Sequence, residues 1–236
     1  HLVWRGGARR RGGLRDPGAG HDRRHRAGGG EPDAAVRRIG AEFIGYLDEL
    51  FRKRRESPTD DLVSALVQAE EQGDHLSENE LYSMVVLLIV AGHETTVSLI
   101  TNAVHALLTH PDQLDRLRAD PSLVPAAIDE LLRFDSPVER TITRWVAEDV
   151  ELGAKTLARG DLVIGVIGSA NRDGARFPTP DTLDVTREDV RHVGFGRGGH
   201  FCIGVDLARL EAKLVVEAVL KQTSRVSLDP EKPVGQ

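Results

Sequence analysis

Residues 77–109 open with "SENE" and continue in an almost unbroken apolar text, LYSMVVLLIVAGHETTVSLITNAVHALLT. Ser77 and Glu80 fit a capping box, in which hydroxyl and carboxylate satisfy the first free amides of a helix. The spacing predicts a helix from there to about Thr109. Being mostly apolar all round, such a helix belongs in the middle of a protein. Its longest apolar run, Leu81 to Ala91, contains Ser83 and falls short of the roughly 18 residues of a membrane span. The neighbouring text supplies further helices. Residues 35–55 place Val36, Ile39, Phe43, Ile44, Leu47, Leu50 and Phe51 on one face, which predicts a long amphipathic helix with that face buried. "SPTDDLVSALVQAEEQGD" predicts a second, with Thr59 or Asp60 as N-cap and Leu62, Leu66 and Val67 inward.

Within the long helix, "AGHETT" (91–96) is a costly insertion. Glycine in a helix interior costs up to about 1 kcal/mol relative to alanine, and a carboxylate among apolar neighbours must find partners or shift its pKa. Ala91 and Thr95 lie four apart on one face with Glu94 beside them, so a small residue, an alcohol and an acid meet over one patch. Threonines that bond back to earlier carbonyls can open the helix ladder and admit water or a small ligand. "HETTV" is not a zinc-protease motif, since Val97 stands where HExxH needs its second histidine. Two short helices follow, the second carrying Glu130-Leu131-Leu132-Arg133; taken alone, Glu and Arg three apart indicate a surface ion pair. Beyond Pro137 come short strands and a Pro/Asp-rich meander. A last helix is expected over about 203–220, with Leu207, Leu210, Leu214, Val215 and Ala218 inward. The fold class is therefore mainly α with a minor β region.

"GFGRGGHFCIG" (194–204) holds the only cysteine of the chain. Gly194, Gly196 and Gly199 spell GxGxxG, but the preceding "EDVRH" is too charged for a buried parallel strand. A Cys202 nucleophile with His200 as base lacks an evident orienting acid. Cys202 as a small buried hydrophobe is the plain structural reading. A fourth reading accounts for more residues. At the start of a helix, free amides and the positive dipole end favour a thiolate, the form that binds metal. Glycines at 196, 198 and 204 let the loop approach a flat, bulky cofactor. One thiolate alone suits a heme iron better than zinc, which needs several side-chain ligands.

"FGRGGHFCIG" resembles, at every fixed position, the heme-binding loop of the cytochrome P450 family. "AGHETT" resembles that family's oxygen-activating segment and "ELLR" its ExxR; "TRWVAEDVELG", "ANRD" and "FPTPDTLDVTR" are similar to the β region and meander of its soluble bacterial members. The resemblance runs in the family's order from about Ala35 to Val234, with Leu183 where an aromatic is usual. It implies heme b (iron protoporphyrin IX), with Cys202 as axial thiolate, Phe195 beside the sulfur, Gly196, Gly198 and Gly204 shaping the loop, Ala91 at the distal wall, and Arg144 and His200 on the propionates. Glu94 and Thr95 would organise water and deliver protons, Val138 would face substrate, and Glu130, Arg133 and Arg187 would form a structural ion-pair cluster in place of a surface pair. The implied activity is monooxygenation of a small organic substrate by O2, with electrons from a ferredoxin or flavodoxin-type donor.

The resemblance corresponds to little more than the family's C-terminal half, so residues 31–236 are expected to be a partial domain that exposes apolar surface. The alternative function is then a non-catalytic fragment with weak or no heme binding. Residues 1–30 hold eight of the 31 Lys+Arg and two of the 37 Asp+Glu, which predicts a disordered Arg/Gly-rich extension on an acidic body. That body is a poor nucleic-acid platform, so no nucleic-acid partner is expected. With one cysteine, no signal-peptide pattern and no membrane span, the expected location is cytoplasmic.

Overall fold

The computed structural model describes residues 34–71, 77–222 and 227–228; the Arg/Gly-rich start lies outside the described residues. They fall into two compact units, one running to Val90 and one from Ala91.

In the first unit, α1 (Ala34–Glu56) and α2 (Leu62–Glu71) are followed by the start of α3 (Glu78–Thr109). Lys53, Arg54 and Arg55 occupy the last turn of α1, where cations complement the negative end of the helix dipole. Leu47 and Phe51 of α1, Val67 of α2, and Leu81 and Val85 of α3 form a small core, with Tyr82 tilted against Phe51 at 5.1 Å and its hydroxyl donating to Asp48. The expected buried face of α1 is realised only at its C-terminal end: Val36, Ile39, Phe43 and Ile44 are exposed. Among the described residues of this unit none covers those first turns. The N-cap of α2 is Asp61, whose carboxylate accepts the Ser64 amide at 2.7 Å, and not Thr59 or Asp60; with the start one residue later, Leu62 points out. The capping box of α3 forms as expected, the Ser77 amide donating to Glu80 at 2.8 Å and the Glu80 amide to Ser77 Oγ at 3.4 Å.

In the second unit, the rest of α3 is followed by α4 (Pro111–Ala119), started by Pro111, and α5 (Val124–Phe134). Two antiparallel strand pairs come next: β1 (Arg144–Trp145) with β4 (Leu162–Val163), and the hairpin β2 (Val150–Leu152) with β3 (Lys155–Leu157). Gly153, at φ +61°, takes the left-handed position of the hairpin turn. A short α6 (Ile167–Ala170), the meander, the cysteine loop and α7 (Val205–Gln222) complete it. Leu99, Ala103, Ala106 and Leu107 of α3, Ala127, Ile128, Leu131 and Leu132 of α5, and Ala212 and Val216 of α7 share one core with Leu183 and Val185. The fold is thus mainly α with a minor β region.

Two expectations are corrected here. The inward face of α7 is Ala208, Ala212 and Val216, while Leu207, Leu210, Leu214 and Ala218 face outward. The helix is apolar on two sides, and the side with small residues lets α5 approach closely. Likewise α3 is not enclosed among the described residues: Leu87, Ile89, Val90 and Val97 are exposed. By length and composition α3 is apolar enough to cross a membrane, a test that core helices of soluble proteins also pass.

Candidate functional site

The second unit contains a cavity of about 520 Å³ between the AGHETT end of α3 and the cysteine loop. A concave, mostly apolar space of this size is what a cofactor or small ligand needs. Ala91, Thr95, Thr96 and Leu99 make one wall, and Phe195, Gly196, His200 and Cys202 the other. Val138 and Ile142 follow Pro137 along a third side, and Arg144 with Arg197 sits on the border. Eight residues that sequence patterns single out therefore line one space: Ala91, Thr95, Val138, Arg144, Phe195, Gly196, His200 and Cys202. Glu94 is exposed and, like Gly198 and Gly204, is not among the lining residues.

The helical wall is continuous. Thr95 Oγ1 donates to the Ala91 carbonyl at 2.6 Å, the expected back-bond, yet α3 stays helical through 91–96 and the ladder is not opened. Among the described residues nothing stands where a Cβ on Gly92 would lie.

The opposite wall is held by its own backbone. Gly196 and Gly198 have φ of +74° and +76°, which other residues rarely adopt, and a Cβ on Gly196 would meet the His200 carbonyl at 3.3 Å. The Gly196 amide donates to the Val193 carbonyl and the Cys202 amide to the Phe195 carbonyl, each at 2.9 Å, folding the loop back on itself. Cys202 is half-buried and lies shortly before α7, which begins at Val205. A flat apolar cofactor with anionic tails fits this donor set: apolar walls, one sulfur on one wall, and Arg144, Arg197 and His200 for the anions. Among the described residues no group of three or more His, Cys, Asp or Glu is assembled for a bare metal ion.

Behind the cavity stands the ion-pair cluster. Arg133 donates to both oxygens of Glu130 at 2.7 and 2.8 Å, and Arg187 Nε donates to the same carboxylate at 3.1 Å. The Asp184 amide adds a fourth donor at 3.0 Å. Arg133 also donates to the carbonyls of Asn171, Pro180 and Thr182 at 3.0, 2.8 and 3.1 Å. Glu130 and Arg133 are fully buried, so the surface-pair reading is overturned. The meander supplies the cover and the carbonyls.

Several residues around the site were given no role by the sequence, although Asn171 belongs to the quoted "ANRD". Buried Asn171 donates to Ser136 Oγ and accepts the Val193 amide, both at 2.8 Å, so it ties the end of α5 to the entry of the cysteine loop. Asp129, next to the recognised Glu130, faces His192 Nε2 at 3.3 Å and accepts from Arg209 Nε at 2.9 Å. Burial pushes the Asp129 carboxyl up, but hydrogen bonds from His192 and Arg209 and the Arg209 charge outweigh it and hold it below the usual range.

Residues 31–234 match the family profile described as Cytochrome P450. The chain is 52% identical over 191 residues to a cytochrome P450 of Bacillus subtilis, covering 81% of this chain and 47% of that protein. It is 52% identical over 194 residues to cytochrome P450 107B1 of Saccharopolyspora erythraea, covering 82% and 48%. The structure of the ligand-free P450 monooxygenase TamI matches with a TM-score of 0.77 and 41% identity, over 85% of this chain and 50% of that one. The chain thus spans about half the length of the relatives it matches.

Proposed function

The chain belongs to the cytochrome P450 family, whose members bind heme b, and from that premise we propose that it serves as a heme-thiolate monooxygenase. The reading is that one oxygen atom of O2 enters a small organic substrate while electrons come from a ferredoxin or flavodoxin-type donor, in the cytoplasm. The observation that carries it is the single cavity with Cys202 on one wall and Thr95 on the other.

In this reading Cys202 Sγ would bind the heme iron, Phe195 would pack beside the sulfur, and Arg144 and His200, joined by Arg197, would hold the propionates. Heme b, when bound, supplies the iron chemistry of oxygen activation. The remaining work falls to side chains. Thr95 Oγ1 donates to the Ala91 carbonyl at 2.6 Å and keeps its lone pairs for a proton donor in the cavity. Rotation of that hydroxyl redirects its proton into the cavity, and Glu94, at the solvent side one residue away, relays the replacement. Positioned proton transfer of this kind contributes about 10²- to 10⁴-fold in rate. Val138 and Ile142 offer apolar surface to the substrate, and the folded backbone of the cysteine loop holds the sulfur at the cavity wall.

The test is the absorption spectrum of the heme-supplied, reduced chain under carbon monoxide. A strongly red-shifted Soret band is expected, and Cys202→Ala should abolish it while leaving far-ultraviolet helicity intact. Retention of the band in the variant would overturn the ligand assignment. Absence of the band from the unaltered, folded chain would favour the second reading, a non-catalytic piece with weak or no heme binding, which the exposed apolar faces of α3 and α7 support.

A further inference from the structure

The cysteine loop is gripped from outside the cavity by residues that never touch the space in front of the sulfur. The Gly194 amide donates to His192 Nδ1 at 3.0 Å. Because a backbone amide is only a donor, Nδ1 is the acceptor, the ring proton sits on Nε2, and it points at Asp129 Oδ1 at 3.3 Å. The His192 side chain is almost wholly buried. Arg209, on α7, donates through Nε to the same carboxylate oxygen at 2.9 Å. The Phe195 ring lies between these two groups: its centroid is 5.6 Å from the His192 ring, and the Arg209 guanidinium stands over it at 5.1 Å. Both distances fall in the range where ring–ring and cation–ring attraction operate. The Phe195 carbonyl in turn accepts the Cys202 amide at 2.9 Å.

One carboxylate on α5 therefore orients two cationic or aromatic groups from different elements, these clamp one ring, and the residue bearing that ring holds the cysteine backbone. We propose that Asp129, His192 and Arg209 are positioning residues for Cys202: acting through Phe195, they fix the loop conformation in which the sulfur serves as ligand. The proposal rests on the heme-thiolate reading for its purpose, though not for its geometry. Asn171 pins the same strap one residue earlier through the Val193 amide, so the cluster governs the stretch from Gly194 to Cys202.

Cys202 is the only cysteine, so alkylation by iodoacetamide, followed by mass spectrometry on the full heme-free chain, reads this sulfur alone. Losing the paired hydrogen bonds should raise the alkylation rate of His192→Ala and of Asp129→Ala about tenfold over the unaltered chain. In the double variant the two effects should not multiply, because both cut one chain of contacts. His192→Asn retains an acceptor two residues before Gly194, as in an Asx turn, and should bring the rate back to within about threefold. This variant keeps the test decisive should the alanine variant lose its helical circular dichroism. In the heme-loaded chain, His192→Ala should shift the carbon monoxide spectrum from the thiolate-type to the shorter-wavelength band at equal heme content. Alkylation of a folded His192→Ala within twofold of the unaltered rate, or an Asn variant indistinguishable from Ala, would overturn the cluster. Failure of the unaltered chain to give the thiolate band would overturn the monooxygenase reading instead, with the alkylation result still standing.

Discussion

At the scale of single residues, the buried charge of Arg133 dominates. Its guanidinium is sealed from water and neutralised by Glu130, with three carbonyls taking its remaining protons. Such a pair adds little against a well-packed apolar substitute, but removing one partner strands the other, at a cost of about 3 to 5 kcal/mol. Glu130→Ala should therefore lower the unfolding free energy by that amount, read by far-ultraviolet circular dichroism as a lower urea midpoint with the slope unchanged. Asp181→Ala should leave the midpoint where it is, because its pair with Arg172 is exposed. The sequence made the spacing of Glu130 and Arg133 legible but not their burial. Asp184 and Arg187, which complete the carboxylate's donors, lie more than fifty positions away, so spacing could not pair them with Glu130, and Arg187 was named only through the family resemblance. The same holds for Asp129 and His192, 63 apart, whose meeting no local pattern announces.

At the scale of elements, boundaries follow hydrogen bonds that propensity alone ranks poorly. Thr59, Asp60 and Asp61 are all plausible caps, and Asp61 wins because it gathers the Thr59 hydroxyl, the Ser64 amide and the Arg54 guanidinium at 2.7, 2.7 and 2.6 Å. The Thr59 hydrogen bond first, then the Ser64 amide, hold its carboxyl well below the usual range. A carboxylate depressed by folding contributes stability above its unfolded pKa, about 3.9, and loses it as pH falls through the lower folded value. Acidification from pH 5 to 2 should therefore reduce the hydrogen-exchange protection of the first turn of α2. Asp61→Asn, which still caps, should flatten that dependence; an unchanged slope in the variant would assign it to another group. For α7 the periodicity was legible, but two apolar faces satisfied it equally. Size decided between them: Ala208 and Ala212 admit the close approach of α5, and the leucines turned outward.

At the scale of the whole molecule, the helical order and the capped start of α3 were readable from sequence, because each rests on a local motif, whereas the meeting of AGHETT and the cysteine loop was implied only by the family resemblance. Burial was not, since it depends on what surrounds each helix, and this chain spans about half the length of its relatives. On α7, Leu207, Leu210 and Leu214 are 59%, 49% and 53% exposed and follow one another at helical spacing, and Ile203, in the turn just before the helix, is 92% exposed. A continuous apolar stripe of this kind drives association, because each large side chain left in water forgoes about 1.5 to 3 kcal/mol of burial. The chain studied alone should sediment faster as its concentration rises. The double variant Leu207→Lys, Leu214→Lys should move sedimentation towards the monomer and leave the unfolding midpoint almost unchanged, since neither leucine is in the core. By contrast, Ala212→Lys, a charge set against α5, should unfold the second unit. Equal association by the double variant and the unaltered chain would relocate the sticky surface to another face, with exposed Leu87, Ile89 and Val90 of α3 the next to be substituted.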